Sequence, residues 1–80
     1  MTNTFNISIN TIDKVKRFVN LTNQCEADTD IISGRLLIDA KSIMGIFGMD
    51  LTRPMILKIH ESDQKKLQKY KEMFGEFIIE

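Results

Sequence analysis

The segment DAKSIMGIFGM, residues 39–49, carries the strongest structural signal in this chain. Ser42 stands just before a short apolar run, and serine is among the residues that favour the N-cap of a helix. Gly48 follows the run, and glycine is typical of helix C-termini. The segment therefore predicts a short helix capped by Ser42. Since a helix N-terminus also favours anions, the hydroxyl can be a cap, a phosphorylation site, or both.

The predicted short helix carries more apolar side chains than one inward face can hold. Spacings of one and four residues place Ile43, Met44 and Phe47 on one side. Ile46 and Met49 fall on another side. One set must face the core, and we expect Ile43, Met44 and Phe47 to form a partner-binding surface, because methionine suits adaptable contacts. Core packing of these three residues is the alternative.

The rest of the chain predicts an α+β fold. Two helices with apolar stripes alternate with segments that resemble strands, which gives the order βαββαβα and a four-stranded antiparallel sheet with helices on one face. The predicted elements are strand 5–9, a helix from Asn10 or Thr11 to about residue 24, strands 29–33 and 35–39 around Gly34, strand 55–59, and a final helix capped by Ser62.

Two further expectations come from apolar spacing. Ile12 begins the stripe of the first helix, which continues through Val15, Phe18, Val19 and Thr22, so it is expected to be buried. The continuous apolar run 36–38 suggests a strand near the centre of the sheet.

Length and charge restrict the class of protein. Eighty residues make one domain, 1–80, and eleven basic residues balance eleven acidic ones. This balance gives no field that would attract nucleic acid or an anionic membrane, and no apolar run is long enough to span a bilayer. A single cysteine, Cys25, and the absence of a signal-like start predict a cytoplasmic protein.

The run AKSIMG, residues 40–45, resembles the regulatory-serine motif of the HPr family, the histidine-containing phosphocarriers of the bacterial sugar phosphotransferase system. With the chain length and element order, the resemblance implies an HPr-like open-faced β-sandwich. It also implies that Ser42 is a target of an HPr-type kinase. In the family, the positions that match Ile43, Met44 and Phe47 face partner proteins.

The resemblance fails where the family keeps its phosphorylatable histidine. That histidine lies in a loop after the first strand, followed by an arginine and a proline. Here Thr11 or its neighbours occupy the histidine's place, and Asp13 lies near the position of the arginine. A carboxylate there repels phosphate. The chain is thus similar to catabolite repression HPr, a regulatory branch that lacks the histidine and keeps the serine.

His60 is the only histidine of the chain, and Glu61 and Asp63 flank it. Acidic neighbours do not suit a phosphoryl acceptor, so we interpret His60 as a surface or turn residue. One histidine, one cysteine and scattered carboxylates show no metal-ligand spacing, and nothing indicates a cofactor.

We therefore predict a non-enzymatic, non-phosphocarrying HPr-like protein that regulates by binding other proteins, with a possible regulatory phosphoserine at Ser42. The expected partners are phosphotransferase components, an HPr-type kinase or a transcriptional regulator. Lys14 and Arg17 on the first helix could add to the partner surface, although a solvated helix face is their simpler interpretation. The alternatives are a phosphocarrier that uses an atypical residue such as His60, and a diverged interaction domain with neither activity.

Overall fold

The structure is a computed structural model that describes residues 2–79. Seven elements follow one another in the predicted order βαββαβα. They are β1 (Thr4–Ile7), α1 (Ile12–Gln24), β2 (Thr29–Ser33), β3 (Leu36–Asp39), α2 (Ile43–Phe47), β4 (Met55–Ile59) and α3 (Gln64–Met73).

The four strands form one antiparallel sheet in the order β1-β4-β2-β3. One row of side chains crosses all four strands on the same face, because Phe5 pairs with Leu57, Leu57 with Ile31, and Ile31 with Ile38. Since side chains alternate between the faces of a strand, this row defines the face that points into the core. The expected α+β architecture is confirmed.

The helices cover that face with their apolar sides. Phe18 of α1 lies at the centre of an aromatic cluster, with ring centroids 5.5 Å from Phe74 and 5.4 Å from Phe77. These three side chains are almost completely buried, and they connect α1 to the C-terminal part of the chain. The packing of large aromatic rings supplies much of the hydrophobic stabilisation in so small a core.

The run 36–38 does not form a central strand, and that prediction is wrong. β3 pairs only with β2 and lies at the edge of the sheet. Leu36 and Leu37 are 53% and 65% exposed. A continuous apolar run indicates a strand, but the position of a strand in the sheet depends on which other strands pair with it.

Two local predictions also need correction. Ile12 is 63% exposed, because it is the first residue of α1 and precedes the part of the helix that packs on the sheet. The cap of α3 is Asp63, not Ser62; an Asp63 side-chain oxygen accepts hydrogen bonds from the backbone N–H groups of Lys65 and Lys66. Both residue types favour the N-cap, so the sequence did not distinguish these neighbouring positions.

Candidate docking surface and modification site

The turn between β3 and α2 fixes the position of Ser42. The backbone oxygen of Asp39 accepts a hydrogen bond from the Ser42 N–H at 3.0 Å. The Asp39 carboxylate also accepts one from the Lys41 N–H at 2.9 Å. Asp39 thus stabilises the turn through both its backbone and its side chain, a common use of aspartate in tight turns.

Ser42 is the N-cap of α2, as its place in the sequence predicts. Its backbone is extended, with φ −96° and ψ 100°, and its Oγ accepts a hydrogen bond from the Gly45 N–H at 3.2 Å. The Ser42 backbone oxygen accepts the first helical bond, from Ile46, at 3.1 Å. The residue is half-buried, and its hydroxyl satisfies the helix end.

Gly45 allows α2 to lie directly against β3. A Cβ atom at this position would stand 2.8 Å from Cγ2 of Ile38 and 3.2 Å from Oγ of Ser42. Since real Cβ contacts are longer than 3.0 Å, any other residue would push α2 away from the strand or displace Ile38. Gly45 therefore helps to hold the cap in place.

The apolar residues of α2 divide between core and solvent. Ile46 and Met49 are buried, whereas Met44 is 80% and Phe47 is 40% exposed. Ile43 is half-buried and packs partly against the core. We call Ile43, Met44 and Phe47 together the α2 patch. Met44 and Phe47 supply most of its exposed apolar surface, and Ile43 contributes less than expected.

The second half of α1 supports the segment that carries Ser42. Thr22 is completely buried, and its hydroxyl donates to the backbone oxygen of Ala40 at 2.8 Å. The side-chain amide of Asn23 donates to the Lys41 backbone oxygen at 3.5 Å. The sequence places Thr22 only in the apolar stripe of α1 and does not predict its bond to Ala40. The one available signal was a hydroxyl residue within that stripe.

Lys14 and Arg17 are engaged in contacts of their own. Lys14 Nζ donates to Asn10 Oδ1 at 3.3 Å. Arg17 forms an ion pair with Asp13, and its Nε lies 3.2 Å from Glu76 Oε1. At the usual rise of about 1.5 Å per residue, Lys14 lies about 12 Å and Arg17 about 8 Å before Thr22 along the helix axis. These contacts favour the interpretation of a solvated helix face over a surface shared with Ser42.

The N-terminus of α1 has a hydroxyl cap where the family resemblance places a histidine. Thr11 Oγ1 accepts a hydrogen bond from the Lys14 N–H at 3.1 Å. Asp13 brings a carboxylate into the first turn of α1. Arg17 pairs with this carboxylate, and the expectation that it repels a phosphoryl group stays a prediction.

His60 lies directly after β4. Its Nε2 is 2.6 Å from Oδ2 of Asp30. Both side chains line an open depression together with Asp28, Asp39 and Lys41. Three carboxylates around one imidazole make this a poor place for a phosphoryl group, in agreement with the interpretation of His60 as a surface residue.

Within residues 2–79, no group of three or more His, Cys, Asp or Glu side chains is arranged to hold a metal ion. The helices of this part of the chain are also too short or too polar to cross a membrane.

Comparison with known proteins shows the fold. No protein-family model matches the chain, and no curated protein matches it. Among solved structures, the chain is similar to HPr-C-His from Thermoanaerobacter tengcongensis, with a TM-score of 0.67 and 19% sequence identity. The match covers 90% of this chain and 94% of that one. The fold is therefore the HPr-like open-faced β-sandwich, as the resemblance of residues 40–45 implied.

Proposed function

We propose that this chain is a non-phosphocarrying HPr-like protein that regulates other proteins by binding them through the α2 patch. The observation that carries the proposal is the position of Ser42, a half-buried serine at the start of a helix on which Met44 and Phe47 are exposed. The protein would act in the cytoplasm, without catalysis of its own. Its partners would be phosphotransferase components or a transcriptional regulator.

The α2 patch suits protein docking because its apolar side chains project from a firmly held helix. Burying one large apolar side chain contributes about 1.5–3 kcal/mol relative to leaving it exposed. Gly45 packs against Ile38, and Thr22 bonds to the segment before α2, so the patch is ordered before a partner arrives. A preorganised surface loses less entropy on binding.

Phosphorylation of Ser42 would change this surface without changing the fold. An HPr-type kinase would transfer the γ-phosphoryl group of ATP to Ser42 Oγ, with loss of the hydroxyl proton and release of ADP. The phosphate carries about −1.5 to −2 charge at pH 7, and its oxygens can accept the Gly45 hydrogen bond that Oγ now accepts. No acidic residue lies in the first turn of α2; on the turn before the cap, Lys41 brings a positive charge and Asp39 a negative one. The new charge would stand beside Met44 and alter which partners can dock.

Incubation of the folded chain with ATP and an HPr-type kinase tests the regulatory part of the proposal. We expect one phosphate, located at Ser42 by mass spectrometry, and none on Ser42→Ala. Ser62→Ala is the control, since Ser62 is another serine just before a helix, and it should be phosphorylated like the unaltered chain. A folded chain that acquires no phosphate would refute regulation at Ser42.

The competing hypothesis, a phosphocarrier that uses His60, has weaker support because Asp30 lies 2.6 Å from the imidazole. Mixing the chain with phosphoenolpyruvate and the first enzyme of the phosphotransferase system tests it. We expect no acid-labile phosphate. A phosphate that His60→Gln abolishes would replace our proposal with the phosphocarrier hypothesis.

A further inference from the structure

The two edges of the sheet differ in what covers them. Along β1, the C-terminal segment adds hydrogen bonds: the Ser8 N–H donates to Phe77 at 2.8 Å, and the Ile79 N–H donates to Asn6 at 2.8 Å. β3, at the other edge, pairs with β2 and with no further strand in residues 2–79. The outer side of β3 therefore faces solvent.

The hydrogen-bond pattern shows which backbone groups of β3 point outward. The Ala40 N–H donates to the Thr29 oxygen at 3.0 Å, just beyond the end of β3. Hydrogen-bonded positions alternate along an antiparallel pair, so Ile38 and Leu36 also bond to β2. Leu37 lies between them, opposite Ile32, and its N–H and C=O point away from the sheet.

Apart from the shortness of the strand, β3 lacks the usual features that keep edge strands apart. Natural edges often carry lysine, proline or a bulge that discourages pairing with another chain. Leu36 and Leu37 are instead large, apolar and exposed. Charges of opposite sign flank them, with Arg35 before the strand and Asp39 at its end. Such an edge is complementary to a second copy of itself in the antiparallel orientation.

We infer that two copies of this chain associate through antiparallel pairing of their β3 strands, with the two-fold axis at Leu37. The two sheets then join into one, with four strands from each copy. In this register Leu37 lies opposite Leu37 of the second copy, and Leu36 lies opposite Ile38 of the second copy. Arg35 faces Asp39 of the second copy at both ends, and opposite charges across a strand pair are stabilising.

Neighbouring registers are less favourable. A shift that places Ile38 opposite itself brings Leu37 opposite the Asp39 carboxylate and removes both Arg35–Asp39 pairs. On the sheet face opposite the helices, Ile56 pairs with Ile32 and Ile32 with Leu37. The register centred on Leu37 continues this apolar row into the second copy. Because basic and acidic residues are equal in number, net charge does not oppose association.

The interface is small, since β3 has four residues. Small interfaces of this kind form transient complexes, so the dimer should be weak and depend on concentration. The paired residues belong to β3 and not to the neighbouring α2 helix, and the inference does not require the function proposed for Ser42.

Sedimentation of the full chain tests the inference. We expect a monomer–dimer equilibrium between about 10 µM and about 1 mM. Leu37→Lys should remain monomeric throughout this range, because it places two lysines opposite each other at the axis. Ile12→Lys is the matched control, since Ile12 is exposed to nearly the same extent, 63% against 65%, and it should dimerise normally. A chain that is monomeric at the highest concentration, or a dimer that survives Leu37→Lys, would overturn the inference.

Two further variants, each with a control variant, test the register. Arg35→Glu should weaken the dimer at least tenfold, whereas the same change at the exposed Arg53 should not.

Leu37→Cys should form a symmetric disulfide on oxidation, because hydrogen-bonded partners have Cα atoms about 5.5 Å apart. Leu36→Cys should not, since its copies are diagonal neighbours at about 7–8 Å. The native Cys25 is buried and does not compete. Equal crosslinking of both variants would contradict the register.

Discussion

The two hydroxyl-capped helix ends of this molecule have nearly the same geometry and different electrostatics. Thr11 Oγ1 accepts from the Lys14 N–H at 3.1 Å, and Ser42 Oγ accepts from the Gly45 N–H at 3.2 Å. The first turn of α1 contains the carboxylate of Asp13, whereas the first turn of α2 contains no acidic residue. The carboxylate next to the Ser42 cap instead precedes it, on Asp39, which accepts from the Lys41 N–H.

The ends also differ in how the rest of the molecule supports them. The start of α1 lies at the surface, with Thr11 and Ile12 exposed. The start of α2 is held by the Thr22 hydroxyl, by the Asp39 turn and by the contact of Gly45 with Ile38. Substitutions at the two helix ends test this difference through their effects on stability.

We expect the largest effect on stability from a comparison of two threonine-to-valine changes, at Thr22, which supports the start of α2, and at Thr11, the cap of α1. Thr22→Val removes a buried hydroxyl that donates to Ala40 and should lower the free energy of unfolding by about 2 kcal/mol, since buried groups left without partners cost about 1–3 kcal/mol. Thr11→Val, at the exposed cap, should cost about 1 kcal/mol. Urea unfolding measures both. A larger loss for Thr11→Val would reverse the comparison.

Gly45→Ala should lower the free energy of unfolding by about 1 kcal/mol. The clash with Ile38 costs about 1–3 kcal/mol, and the better helix propensity of alanine offsets up to about 1 kcal/mol of it. Gly48→Ala is the control. The backbone φ of Gly48 is −79°, and an added Cβ would lie 3.3 Å from its nearest neighbour, the Gly45 backbone oxygen. The free energy of unfolding should therefore change by no more than about 0.5 kcal/mol. Stabilisation by Gly45→Ala in thermal unfolding would show that α2 does not depend on this close approach.

An aspartate placed at each cap sharpens the electrostatic difference. Ser42→Asp should leave stability unchanged or raise it by a few tenths of a kcal/mol, because aspartate caps well and favours the helix dipole. Thr11→Asp should gain less, since Asp13 lies two residues away. Unfolding at low and high salt measures the difference, which should shrink as salt screens the charges. Equal effects at both positions would mean that Asp13 does not distinguish the two helix ends.

The smallest expected effect concerns Cys25, which lies just after α1. Burial raises the pKa of the Cys25 thiol above its ordinary value, so less of it is thiolate near neutral pH. We expect it to react more slowly with iodoacetamide in the folded chain than in urea, with the rate rising as pH increases. Equal rates in both states would show that the end of α1 opens readily.

The features that depend on local sequence were predictable. The element order follows from apolar spacing, and the Ser42 cap follows from one residue type before an apolar run. The family resemblance added the HPr-like version of the fold, which the similarity to HPr-C-His supports.

The features that the sequence did not reveal depend on distant partners. The place of β3 at the sheet edge depends on pairing with β2 alone, and the run 36–38 carries no sign of it. The bond from Thr22 to Ala40 joins residues 18 positions apart. Ile12 follows the apolar spacing of α1 but precedes the part of the helix that packs on the sheet. In each case tertiary packing determined the outcome, and periodicity does not encode it.

Amide nitrogen–proton correlation spectra of the chain before and after treatment with an HPr-type kinase test the central claim most directly. If the end of α2 accepts the phosphate within the existing fold, the amide signals of Met44 and Gly45 shift strongly, and those of Lys14 and its neighbours in α1 stay in place. Absence of any phosphate, or shifts spread over α1 and the sheet, would contradict the account.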